Sequence, residues 1–213
     1  MLTKGWGFGI AVAAASMAAI VVLSNVLVQH PFAYSLGQLN LADLLTWGAF
    51  SYPLAFLVTD STNRLFGPRV ARRVVYGGFA VAIVLSVWLA TPRIAIASGT
   101  AFLTAQLLDI VVFNRLRDRV WWMAPSLSSL VGSALDTLLF FSLAFASAFV
   151  LLGPNDPFAI EAAPLLGLFA TETPRWLSWA LGDFAVKLLI TALALVPYRL
   201  IIIAALPRRP TPA

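Results

Sequence analysis

RLFGPRVARRVVYGGFAVAIVLSVWLATPRIAIASGTAFLTAQLLDIVVFNRLRDR, residues Arg64–Arg119, carries two long apolar runs, Val74–Ala90 and Ile94–Phe113. The tripeptide Thr91-Pro92-Arg93 separates them. Arg64, Arg69, Arg72 and Arg73 stand before the pair, and Arg115, Arg117 and Arg119 follow it. Each run approaches the ~20 residues that a helix needs to cross a hydrocarbon core. Both are rich in Ala and Leu and lack the period-two alternation of strands. The stretch therefore reads as a tight antiparallel pair of membrane helices with both basic ends on one side.

Working outward, four more apolar runs give spans at about residues 6–28, 43–62, 126–152 and 176–205, beside those at 74–90 and 94–113. The composition agrees. The 213 residues are 61% apolar and 11% charged, whereas a soluble domain averages ~45–50% and ~25%. Mean hydropathy is +0.91. Helices are the open-chain solution to backbone hydrogen bonding in lipid. The expected fold is an all-α membrane protein of one domain with six transmembrane helices. No sizeable extramembrane domain is expected.

The basic residues orient it. Lys4, then Arg64, Arg69, Arg72 and Arg73, then Arg115, Arg117 and Arg119, then Arg199, Arg208 and Arg209 make eleven of the fourteen Lys and Arg. All fall on one side of a six-span arrangement. Arg93 and Arg175 fall on the other, and Lys187 lies within a span. Basic residues concentrate in cytoplasmic connections, so both termini are expected in the cytoplasm. The pI near 10.2 then reports orientation, and no nucleic-acid partner is expected. Near the N-terminus AVAAASMAA looks like a signal cleavage region, but the apolar run continues through Val21, Val22 and Leu23. It reads as a retained span. Gly153–Pro174 is the longest connection, and its AAPLLGLFA segment suggests a short interfacial or re-entrant helix.

The absence of Cys and the presence of one His, His30, removes thiol, zinc-cluster and Ser-His-Asp chemistry. Neither enzyme activity nor a cofactor or metal is expected. The chemistry lies in polar groups that lipid tolerates badly, each ionisable one costing ~2.5–3.5 kcal/mol on insertion scales. They are Asp43, Asp60, Asp109, Asp136, Asp183 and Lys187, with Asn25 and Gln106 as neutral companions. Asp136, Asp183 and Lys187 fall near the midplane, where transporters hold substrate. Gln106 and Asp109 share a face, as do Ser129, Gly132, Ser133 and Asp136.

Four-residue spacing pairs Asp183 with Lys187 and Asp60 with Arg64. Asp43 reads as a charge at a helix N-terminus, and His30 as a loop residue. Trp6, Trp121, Trp122, Trp176 and Trp179 read as interfacial anchors. Trp47, Phe50 and Tyr52 precede Pro53, which should kink their span; the rings either pack in the core, the favoured reading, or form a flat wall for a planar ligand.

The chain resembles the queuosine precursor transporter family, also called the vitamin uptake transporter family. The matching pieces run in order along most of it: SNVLVQ (Ser24–Gln29), TWGAFSYP (Thr46–Pro53), TDSTNRLFG (Thr59–Gly67), ARR (Ala71–Arg73) and RIAIAS (Arg93–Ser98). They continue through AQLLDIVVFNRLRD (Ala105–Asp118), WWMAPS (Trp121–Ser126), SALDTLLFF (Ser133–Phe141) and the Asp183/Lys187 pair.

The resemblance implies a bacterial inner-membrane importer of 7-cyano-7-deazaguanine or its aminomethyl relative, bases salvaged for tRNA queuosine modification. It also implies a six-helix domain similar to the substrate-capturing subunits of energy-coupling-factor transporters. Dependence on an ATP-driven partner, with a vitamin or purine-like substrate, is the alternative. A homo-oligomer is a further possible assembly. Such a base is planar and neutral, with adjacent N–H donors beside a carbonyl. A carboxylate accepts two such donors side by side, and an amide or ammonium answers the carbonyl. The expected substrate-binding set is Asn25, Trp47, Phe50, Gln106, Asp109, Asp136, Asp183 and Lys187. Asp136 or Asp109 is expected to read the donor edge, with Gln106, Asn25 or Lys187 on the carbonyl.

Overall fold

The computed structural model describes residues 2–37 and 39–205; Arg208 and Arg209 lie outside the described residues, as do the side chains of Lys4 and Trp6. The described chain is mostly helical: α1 (Leu2–Leu27), α2 (Gly48–Ser51), α3 (Leu54–Phe66), α4 (Pro68–Leu89), α5 (Pro92–Leu116), α6 (Met123–Phe145), α7 (Pro157–Ile160) and α8 (Arg175–Ala205). Among the described residues five helices are long and apolar enough to cross a membrane: α1 over Gly7–Leu27, and α4, α5, α6 and α8.

The expected span at 43–62 takes a different form. Leu41–Asp43 is a 3-10 turn capped by the Asn40 side chain, and regular helix starts only at Gly48. Pro53 has no N–H to donate, so the hydrogen-bond ladder is interrupted there, while Tyr52 and Pro53 keep helical dihedrals. The 13-residue α3 resumes after it and is about 20 Å long at 1.5 Å per residue. Asp43 is thus in a turn and is not the first charge of a long helix.

Elsewhere the helices start where the chain supplies starts. Pro68 and Pro92 occupy first-turn positions, where a missing N–H costs nothing. The Thr91 side chain accepts from the Ile94 N–H at 3.4 Å. Helix α4 therefore begins six residues before the expected span and takes Arg69, Arg72 and Arg73 into its first turns. Gly67, at φ 84°, makes the corner between α3 and α4 with a backbone conformation that suits glycine.

Small residues let the helices close on one another. Ala97, Ala101 and Ala105 recur at four-residue steps on α5 and are buried. On α4, a Cβ at Gly78 would sit 2.5 Å from Met17 Cγ, so α1 and α4 need glycine there. Met17, Val21, Ala55, Val74, Val75, Phe102 and Ile110 form the apolar core between α1, α3, α4 and α5. At the end rich in arginine, Arg117 donates to the Asn63 and Arg64 carbonyls at 3.1 and 2.7 Å. Arg64 returns a bond to the Arg117 carbonyl at 2.5 Å. These bonds tie the end of α3 to the end of α5.

The opposite end is closed by structure that the sequence reading did not anticipate. Helix α6 stops at Phe145, and Ser147–Leu152 form a separate 3-10 turn, so the fifth span is shorter than expected. The AAPLLGLFA segment is no helix. After a short antiparallel pair earlier in the chain, β1 (Ser35–Leu36) with β2 (Leu39–Asn40), it forms strand β3 (Ala162–Pro164) and a turn at Leu165–Gly167, and pairs antiparallel with β4 (Glu172–Pro174). Arg93, read as a loop charge, is 4% exposed. Its guanidinium donates to the Leu143, Ala146, Gly153 and Pro154 carbonyls and to Asn155. It satisfies carbonyls that the end of α6 leaves open and fastens the following segment to α5.

Candidate functional site

A cavity of about 1030 Å³ opens at the end away from the arginine clusters. The end of α1, the α4–α5 turn, α6, α8 and the β3–β4 segment enclose it. Asn25, Tyr52, Phe140, Asp136, Asp183 and Lys187 are all in its wall.

Lys187 organises the polar wall. Its ammonium donates to Asp136 Oδ2 at 2.7 Å and to Thr137 Oγ1 at 2.9 Å. It also pairs with Asp183 Oδ2 at 2.5 Å, one turn earlier on α8. Thr137 in turn donates to Asp183 at 2.8 Å. The spacing of Asp183 and Lys187 predicts this pair; the third member, from α6, comes from packing. The cluster sets one cation against two carboxylates. Tyr52 lies beside it, with the ammonium 5.8 Å from its ring centre. The Asp183 side chain is 16% exposed against 5% for Asp136, so Asp183 is the more open to the cavity. Asn25 donates to the Val21 carbonyl of its own helix at 2.8 Å, which fixes the amide at the cavity wall.

Four of the expected site residues lie elsewhere. Trp47 and Phe50 pack around Phe32, with ring centres 4.8 and 4.7 Å from it, and neither lines the cavity. Five residues apart on helical backbone, Tyr52 faces the cavity while Trp47 is 40% exposed. Gln106 and Asp109 are fully buried toward the arginine-rich end. Asp109 stands eight residues beyond the cavity-lining Ala101, about 12 Å along α5.

There Thr59 donates to Gln106 Oε1 at 2.5 Å. Ser128 and Ser129 each donate to Asp60 at 3.1 Å. Asp60 forms no ion pair with Arg64 among the described residues; Arg64 is directed to the Arg117 carbonyl, and Asp60 is 2% exposed among hydroxyls. The expected helix-end pair is therefore not formed, because α6 covers Asp60 while Arg64 serves the loop.

Sequence reasoning missed other cavity residues. Trp179, read as an interfacial anchor, lines the cavity and donates to the Asp43 carbonyl at 2.9 Å. Phe141 and Phe145 join Phe140 in the wall. Phe141 stands in the run SALDTLLFF around Asp136, and Phe145 lies one turn beyond it.

The family model described as "Putative vitamin uptake transporter" matches residues 46–91 and 85–202. The chain is 35% identical over 199 residues to the "Queuosine precursor transporter" of Escherichia coli strain K12, covering 84% of this chain and 79% of that protein. It is 34% identical over 205 residues, with the same coverages, to the "Probable queuosine precursor transporter" of Haemophilus influenzae. No solved structure shows a significant match. With a buried ion cluster in a cavity among apolar helices and matches along most of its length, the chain is a multi-pass membrane transporter that belongs to the vitamin uptake transporter family.

Proposed function

We propose that this protein imports a queuosine precursor, 7-cyano-7-deazaguanine or its aminomethyl relative, across the bacterial inner membrane. In this reading the interrupted α2–α3 segment supplies a sixth crossing, and both termini are cytoplasmic. The distribution of Arg and Lys supports that orientation, and it makes the cavity open outward. Broken helices are tolerated in membranes where they line a cavity, and Tyr52, beside the break, does so.

The observation that carries the proposal is the Asp136–Lys187–Asp183 cluster in the wall of the cavity. A deazaguanine presents adjacent N–H donors and a carbonyl on one edge. Asp183, with Asp136 behind it, accepts the donors, and Lys187 or Asn25 answers the carbonyl. Tyr52 and Phe140 offer faces for the ring. At about 1030 Å³ the cavity is at the upper end of the ~300–1,000 Å³ usual for small-molecule sites, so it admits the base with its water.

The test uses cells unable to make queuosine precursors, fed 7-cyano-7-deazaguanine with and without this gene. Gene-dependent appearance of queuosine in tRNA is expected, and its loss with Asp183→Asn. No gene-dependent modification would remove the substrate assignment.

A further inference from the structure

Below the cavity lies a second buried polar layer to which the proposed recognition of the base assigns no role. Asp60 from α3 and Asp109 from α5 face one another across Ser128 of α6. They are 2% and 0% exposed. Asp60 receives the Ser128 and Ser129 hydroxyls; among the described residues the donor nearest Asp109 is that same Ser128 hydroxyl, already directed at Asp60, so Asp109 has no donor of its own. An ionised carboxylate is acceptor-only, so two facing carboxylates with a single serine hydroxyl shared between them remain repulsive unless a proton joins them.

The charged and titratable groups around the pair do not neutralise it. Arg64 and Arg117, at the ends of α3 and α5, are directed to backbone carbonyls. Helix α6 contributes hydroxyls alone at this level. From α8, Tyr198 borders the same small hollow as Asp60 and Ser129. A metal ion needs several converging oxygens, whereas the two serine hydroxyls here point their hydrogens at Asp60.

A path joins this layer to the cavity. Along α6, Ser129 and Asp136 are seven residues apart, two turns or about 10 Å. Ser133 lies between them on the same face, fully buried, with its hydroxyl unpartnered. Beside it the Phe56 ring packs on Gly132, where a Cβ would come within 2.6 Å of it. The polar step at Ser133 thus runs next to an apolar plug at Phe56, a barrier to the base that leaves a route for a proton.

We propose that Asp60 and Asp109 form a proton-binding carboxyl pair, exchanging with the cavity by way of Ser133, that couples uptake of the base to inward movement of a proton. The proton leaves the outer solution, is held between the two carboxyls, and is released on the cytoplasmic side as the Phe56–Gly132 contact opens. The coupling part rests on the import reading above; the proton-binding part does not.

Two measurements test it on the purified protein in lipid. Infrared spectroscopy reads the C=O band of a protonated carboxyl directly. That band is expected in the wild type and expected to be lost in both Asp60→Asn and Asp109→Asn; its persistence unchanged in both variants overturns the pair. Liposomes holding a pH-sensitive dye are then given 7-cyano-7-deazaguanine outside. Lumen acidification and pH-gradient-driven accumulation are expected in the wild type. In Asp109→Asn both are expected to be lost, while binding of the base stays within about threefold, ~0.7 kcal/mol. Wild-type accumulation that follows a sodium gradient, or that ignores the pH gradient, overturns the coupling even where the variants do not fold. Wild-type protein that binds no cyano base refutes the substrate reading, and the infrared result still decides the pair.

Discussion

The bundle buries two acidic clusters about two helical turns apart, and they solve the same problem differently. In the cavity wall, Asp136 and Asp183 share the ammonium of Lys187, at 2.7 and 2.5 Å. Deeper in, Asp60 and Asp109 face one another with two serine hydroxyls and, among the described residues, no ion pair to a cationic side chain. A cluster compensated by a fixed cation can remain charged throughout a transport cycle and still offer oxygens to a ligand. A cluster without one must take its compensation from a mobile charge. The contrast suggests a division between reading the substrate and driving it, although Asp109 and Asp136 look alike as intramembrane acids in the sequence.

Lys187→Met attacks the contrast most strongly, because it makes the outer cluster resemble the inner one. Two acids lose their cation, a change worth about 3–5 kcal/mol for a buried pair. A large fall in melting temperature and uptake at background level are expected. Adding Asp136→Asn to this variant should recover part of the melting temperature; no recovery would mean that Lys187 acts mainly through packing.

Asp136→Asn keeps the bulk and removes a charge that faces the cavity. Equilibrium binding of the cyano base should weaken about 10- to 100-fold, the range for a lost charge-assisted bond. Asp109→Asn should not do this. Equal losses in the two variants would erase the distinction between the layers.

Gly132→Val probes the boundary between them. Its side chain must displace the Phe56 ring, against which even a Cβ comes to 2.6 Å. Overpacking of this kind costs about 1–3 kcal/mol, so reduced thermal stability is expected, with slower uptake at nearly unchanged affinity. Unaltered stability would show that the plug yields easily. Trp47→Ala should have the least effect, below about twofold on affinity, because it shares no cavity contact and distant sites act independently. A larger effect in a binding titration would put the outer aromatic group back in the site.

Much of this was legible residue by residue. Apolar run length marked five crossing helices, although α4 starts at Pro68, six residues before the expected span. The i, i+4 spacing of Asp183 and Lys187 announced an ion pair that forms. Other readings failed where a competing partner outside the local window won. Asp60 is four residues from Arg64, yet α6 brings two serine hydroxyls to Asp60 while Arg64 finds the Arg117 carbonyl. AAPLLGLFA has the composition of a helix, but Pro164, the turn at Leu165–Gly167 and the partner strand at Glu172–Pro174 make it a hairpin. Trp47 and Tyr52 are close in sequence, but five residues of helical backbone put them on different faces, one outward and the other toward the cavity.

The sequence alone determined that this chain belongs in a bilayer and which residues are too polar to face lipid. Those properties depend on solvation, summed over short windows, and need no knowledge of neighbours. Which acid meets which base was decided by the tertiary structure alone. Asp136 and Asp109 are both isolated on their own helices, and only the packing of α6 against α8 gave the first a lysine, while the packing of α5 against α3 gave the second another acid. Electrostatic partnership in a low-dielectric interior is set by distances across helices, and these are absent from the spacing along any one of them.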